Sequence, residues 1–294
     1  MGKQFRHGKL LLTAFIVLAA VLVVSACSNK GTGSGSENFL KVGTTDIQAD
    51  LWNFIRDEAK GEGLNIEVVT LTGQVDLNQS LADGDLDANA FQHIAYLTSW
   101  NGIHKASLVA ADTTIIAPLG IYSKKIQDIK DISQGAKIAI PNDQTNLVRA
   151  LKLLESANLI KLKDGFDSAK GGVDQIADNP HKLDILTAQS GMLPRVLEDV
   201  EAAIINNGVA LQAGYKLNSS LYHENEADTA YINVVATKDT ILKDKAEAFK
   251  KLNKVLHSQK VSDYIQQRYE GNFIPVTRTV EDVVETFKKE NGTP

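Results

Sequence analysis

The chain has 294 residues, 43% hydrophobic and 23% charged, enough apolar material for more than one core, so two compact lobes are the default expectation. A net charge of -5 and a pI near 5.7, without any long Lys/Arg run, leave no electrostatic footprint for nucleic acid and exclude that class. The lone cysteine has no disulfide partner. At the N-terminus Lys3, Arg6 and Lys9 precede an apolar run from Leu10 to Val24, which Ser25, Ala26 and Cys27 close. That is the pattern of an export signal, and the run falls short of the roughly 20 residues that cross a bilayer, so cleavage is expected rather than a permanent span.

Val24-Ser25-Ala26-Cys27 resembles the bacterial lipobox, in which small residues admit the peptidase and the cysteine is acylated. Cys27 is then the lipidation site and the first residue of the mature protein. Residues 28 to 36, rich in Gly and Ser, read as a flexible tether; no strand precedes them and no helix follows, which argues against a phosphate-binding loop. From Phe39 short apolar strands alternate with amphipathic helices, the rhythm of an α/β fold. Phe39 to Val42 reads as a strand, Leu51 to Lys60 as a helix, and Leu64 to Val69 as the next strand. Val75 to Ala82 reads as helical, Leu86 to Ala90 as extended, and Phe91 to Trp100 as helical again.

The stretch from Thr113 to Tyr122, broken by Pro118 and Gly120, reads as a crossing between lobes. A second series follows: a strand at Ala136 to Ile140, a helix from about Thr145 to Ala157, and strands near Leu183 to Leu186 and Ala202 to Ile205. Pro141-Asn142-Asp143 stops the first strand and supplies capping oxygens to the helix. Strand Ile232 to Ala236 returns the chain, and helices at Lys243 to Leu256 and Val261 to Tyr269 complete the first lobe. The expected organisation is therefore a signal peptide (1–26), a tether (27–38), one lobe from 39–118 plus 231–276, a second from 119–230, and a C-terminal extension (277–294). In that extension Val280, Val283, Val284 and Phe287 have the spacing of a short amphipathic helix. Two crossings make a hinge, and such a protein closes on a ligand between its lobes.

Several segments resemble the NlpA/MetQ family of substrate-binding lipoproteins: Leu81-Ala82-Asp83-Gly84-Asp85-Leu86-Asp87-Ala88-Asn89 before Phe91-Gln92-His93, Gly120-Ile121-Tyr122-Ser123-Lys124-Lys125, Ile140-Pro141-Asn142-Asp143-Gln144-Thr145-Asn146 before Arg149, Ala203-Ile204-Ile205-Asn206, and Ala230-Tyr231-Ile232-Asn233. The resemblance implies a two-lobed fold of the periplasmic-binding-protein type and a lipid-anchored, extracytoplasmic component of an ABC importer, working with a permease and its ATPase subunits. It implies an amino-acid ligand, L-methionine first, with no cofactor and a monomeric protein. By the same resemblance Phe91, His93 and Tyr96 line the side-chain end of the site, Arg149 holds the ligand carboxylate, and Asn206 and Asn233 add polar contacts. The chemistry agrees with that assignment. A closed cleft must replace the hydration of both ends of a zwitterion, a guanidinium matches a carboxylate bidentately, and a thioether favours aromatic walls.

Two departures bear on the ligand. The family pattern has a tyrosine where this chain has Gln74, and a Pro-Gly-Pro-like turn where it has Asp46-Ile47-Gln48. A short methionine-containing peptide is thus an alternative ligand. A metal-binding uptake lipoprotein is a further alternative, although His93, His104, His181, His223 and His257 lack ligand-like spacing. An enzyme is not expected, because the sequence carries no His-Glu-x-x-His helix, Gly-x-Ser-x-Gly elbow or Walker loop.

Overall fold

The computed structural model describes residues 37–71, 75–225 and 229–291. Strand β1 (Phe39–Thr45) leads into α1 (Asp46–Ala59), β2 (Asn65–Leu71), α2 (Leu77–Asp83), β3 (Ala88–His93), α3 (Ile94–His104) and β4 (Leu108–Ile116). The chain then forms β5 (Gly120–Tyr122), β6 (Lys137–Pro141), α4 (Gln144–Ser156), the small pair β7 (Lys161–Leu162) and β8 (Ile176–Asp178), β9 (Asp184–Ala188), α5 (Leu193–Val196), β10 (Ala202–Ile205), α6 (Asn207–Gln212) and β11 (Tyr222–His223). It ends with β12 (Ile232–Lys238), α7 (Asp239–Asp244), α8 (Ala246–Leu256), α9 (Gln259–Tyr269), β13 (Ile274–Pro275) and α10 (Val280–Asn291).

Two sheets organise these elements. The first has the order β13-β4-β12-β3-β1-β2, with β1 parallel to β2 and β3, and with β12 antiparallel to β3 and β4. The second has the order β11-β5-β10-β6-β9, with β6 parallel to β9 and β10 and with β5 antiparallel to β10. Each sheet is sandwiched between apolar clusters, which is why its central strands are apolar on both faces. Leu51, Trp52 and Ile55 of α1 meet Leu252 and Val255 of α8 on one side of the first sheet; Leu81, Leu97, Trp100, Val283 and Phe287 fill the other. On the second sheet Ala150, Leu151 and Leu154 of α4 cover Ile138, Ile140 and Ile204, while Leu193, Leu197 and Ala210 cover Tyr122 and Ile205.

The chain passes from β4 to β5 through Ala117, Pro118 and Leu119, and returns between β11 and β12. These passages lie side by side: the Glu224 amide donates to the Leu119 carbonyl at 3.0 Å, and the Leu119 amide donates to Glu224 Oε2 at 2.7 Å. Two sequence expectations need correction. Phe91, Gln92 and His93 belong to the end of β3, and the helix begins only at Ile94, because the His93 ring accepts the Tyr96 amide at 3.1 Å and so caps it. The crossing expected over Thr113 to Tyr122 is shorter, since Thr113 to Ile116 extend β4 and pair with β12. The C-terminal helix expected from Val280, Val283, Val284 and Phe287 is α10, and it buries Val283 and Phe287 in the first core.

Candidate ligand-binding site

Parallel strands place their following loops at one edge of a sheet, and ligands of open α/β folds bind in the crevice beyond those carboxyl ends. Here Thr45 ends β1, His93 ends β3, and Asn142, Gln189 and Asn206 directly follow β6, β9 and β10. All five line one cavity of about 410 Å³, to which both sheets contribute. That volume lies at the small end of the range for small-molecule sites.

Phe91, His93, Tyr96, Arg149, Asn206 and Asn233 all line this cavity. Gln74 and Cys27 lie outside the described residues. Phe91 and Tyr96 meet edge to face with centroids 6.1 Å apart, and His93 stands edge-on to both Tyr96 and Tyr231 at 6.2 and 5.4 Å. The result is an aromatic corner. Burial, followed by the nearby Arg149 cation, pushes the His93 pKa down to about 3, while a hydrogen bond with Asn146 opposes this weakly. His93 is therefore neutral. With Nδ1 accepting from the Tyr96 amide, the proton sits on Nε2, 3.4 Å from Asn146 Oδ1.

The opposite wall is polar. Asp143 caps α4 by accepting the Asn146 amide at 3.1 Å, as the Pro-Asn-Asp pattern predicts, and also accepts the Asn146 side chain at 3.0 and 3.1 Å. Asn146 Oδ1 in turn accepts from Asn206 Nδ2 at 2.8 Å. This fixes the amide of Asn206, whose buried Oδ1 meets no hydrogen-bond donor among the described residues. Such an acceptor at the wall of a cavity suits a ligand ammonium. Asn233 sits on β12 directly across from His93 and is buried.

Arg149 is 3% exposed and already engaged. Its Nε donates to Glu224 Oε1 at 2.7 Å, its Nη2 donates to Glu224 Oε2 at 2.5 Å and to the Ala117 carbonyl at 3.0 Å, and its guanidinium lies 4.2 Å from the Tyr231 ring centroid. Sequence reading missed Glu224, which lies 75 residues further along the chain, and no local pattern joins the two. It also passed over Asn146 and Asp143 as lining residues, although both stand in the segment that pointed to Arg149. Gln48, one of the departing residues, is buried and lines the cavity beside Ile47, so that departure falls on the site itself. Gln92 lines it too, held by hydrogen bonds to Asn78 and Asn89. Among the described residues no group of three or more His, Cys, Asp or Glu is placed to hold a metal ion.

The sequence profile described as NlpA lipoprotein matches residues 40–277. A D-methionine-binding lipoprotein, MetQ, from Salmonella typhi is 33% identical over 264 residues, spanning 88% of this chain and 96% of that protein. Among solved structures, a nutrient binding protein from Burkholderia cenocepacia bound to methionine is 38% identical with a TM-score of 0.76, covering 80% of this chain and 99% of that one. The substrate binding protein of a methionine transporter from Streptococcus pneumoniae is 33% identical with a TM-score of 0.75, covering 81% and 96%. The chain belongs to the NlpA lipoprotein family.

Proposed function

We propose that this protein is the substrate-binding component of an ABC importer for methionine, anchored through Cys27 on the extracytoplasmic face of the membrane and working as a monomer with a permease and its ATPase subunits. The observation that carries the reading is the convergence of Phe91, His93, Tyr96, Arg149, Asn206 and Asn233 on one cavity sized for an amino acid. The aromatic corner suits a thioether, which gains dispersion against ring edges. Asn206 Oδ1 suits an ammonium, and Arg149 brings a buried cation to the wall that would meet a carboxylate. The methionine-related names of the relatives point the same way. No residue is assigned a catalytic role.

The test is calorimetry and thermal denaturation of protein unfolded and refolded to strip carried-over ligand. A ligand that binds only the folded state stabilises it by RT ln(1 + [L]/Kd), about 2.7 kcal/mol at a hundredfold excess over Kd. L-methionine or D-methionine should raise the melting temperature, and a methionine-containing dipeptide should do so less. A larger response to the dipeptide would move the assignment to peptides. A response confined to compounds lacking a free carboxylate or an apolar side chain would overturn it.

A further inference from the structure

We infer that Glu224 makes the cleft selective for zwitterions over simple carboxylate anions, acting through Arg149 without lining the cavity itself. This inference rests on the amino-acid reading above. An isolated buried guanidinium would be a strong trap for any carboxylate, because its desolvation is relieved only by a counter-charge. In this protein the counter-charge is built in. Glu224 grips the Nε and Nη2 edge of Arg149 bidentately, with side chains only 3% and 15% exposed, and its own second oxygen is fixed by the Leu119 amide. Asp143 adds a second carboxylate on the cavity wall, and His93 carries no charge. Among the described residues, Arg149, Glu224 and Asp143 sum to one negative charge in excess at the cleft.

A zwitterion entering such a site brings no net charge, and its ammonium and carboxylate sample the field with opposite signs. A deaminated analogue brings a net negative charge that Glu224 and Asp143 oppose. Removing the Glu224 charge should thus help the anion far more than the zwitterion, for which the gain at the carboxylate and the loss at the ammonium nearly cancel. Glu224 also joins the two crossings between the sheets, so replacing it will alter closure as well. That effect is common to both ligands and drops out of their affinity ratio.

The experiment compares methionine with deaminated methionine, the same skeleton with hydrogen in place of the ammonium, by calorimetry on wild type, Glu224→Gln and Glu224→Asp. Gln is isosteric and keeps an acceptor for Arg149 and Leu119 while losing the charge. The preference of the wild type for methionine should shrink by about tenfold or more in Glu224→Gln, the scale of one unit charge removed at short range in a partly buried site. Glu224→Asp, which withdraws the carboxylate by one carbon, should fall between the two. A ratio within about twofold of wild type in folded Glu224→Gln, about a third of a decade, overturns the inference while leaving methionine binding intact. If Glu224→Gln does not fold, a Glu224→Asp ratio equal to that of wild type overturns it. Absence of methionine binding by the wild type removes the functional reading, and the inference with it.

Discussion

His93 carries two roles in one ring: it caps α3 through Nδ1, which must be unprotonated to accept and so requires the neutral form, and it faces Asn146 Oδ1 through Nε2, a contact that only needs the Nε2 proton. Its folded pKa of about 3 lies below the ordinary histidine value of 6.5, so the unfolded chain binds the extra proton first as pH falls. The stability His93 contributes is therefore complete above pH 6.5 and is lost on acidification, by roughly 2 kcal/mol between pH 7 and pH 5. His257 works in the opposite sense: its hydrogen bond to Asp112 raises its pKa, so its contribution is complete below the ordinary value and fades as pH rises through the raised one. Asn at position 93 keeps an acceptor for the cap and does not titrate. Denaturant unfolding at both pH values should show His93→Asn losing about 2 kcal/mol less than wild type on acidification, and equal losses would refute the assignment. Arg149 makes the second residue-scale prediction. Arg149→Ala removes the proposed carboxylate partner and also strands the Glu224 carboxylate, so ligand binding should weaken by roughly 2 to 5 kcal/mol and unfolding free energy should fall by about 3 kcal/mol. Calorimetry and denaturant titration on the same stripped sample read the two losses, and a fully stable variant would show that the pair with Glu224 contributes nothing to the fold. Arg149 was legible only through the family resemblance of the Ile140 to Asn146 segment that precedes it. Glu224 was not, because a pair 75 residues apart exists only once both crossings are folded together.

At the scale of elements, α10 lies beyond the residues matched by the family profile and yet is part of the first core. Val283 is fully buried and Phe287 is 8% exposed, packed in the cluster that also holds Leu97 and Trp100. Truncating a buried Phe typically costs about 3 to 5 kcal/mol from lost burial and the cavity left behind. Phe287→Ala should reach the lower end of that range in denaturant unfolding, given its position on a terminal helix, with methionine affinity unchanged, because Phe287 is not among the residues lining the cleft. A loss of affinity with stability intact would instead tie α10 to the site. The amphipathic spacing of α10 was readable at once, since one apolar face against one polar face is what period 3.6 reports. The β3 to α3 junction was not. Phe91 to Trp100 has helix-compatible apolar residues throughout, and the true start is set by a histidine cap, a residue type outside the usual capping set. Strand β4 was missed for a different reason: Asp112 sits in its middle, 2% exposed, and is satisfied there by the Thr113 amide at 2.8 Å together with His257 at 2.8 Å and Asn253 at 3.3 Å from α8 and its end. No window of local sequence contains the two contacts from α8 and its end.

For the whole molecule, the two sheets share a cleft and are joined by adjacent crossings that Glu224 and Arg149 tie together. Ile47 at the start of α1 and Gly208 at the start of α6 meet across the cleft, where a side-chain carbon built on Gly208 would stand 3.3 Å from Ile47. Among the described residues no helix is long and apolar enough to cross a membrane. The attachment proposed above is at Cys27, the only thiol in the chain. Stable anchoring takes two or more acyl chains, since a single chain binds only marginally. A serine at that position offers a hydroxyl in place of the thiol, so Cys27→Ser should abolish attachment while leaving the cleft untouched. Fractionation of cells after a salt wash should find the variant in the soluble fraction, and calorimetry should give it the affinity of the mature wild type within about twofold, less than half a kcal/mol. A variant that stays with the membrane would refute lipid attachment at Cys27.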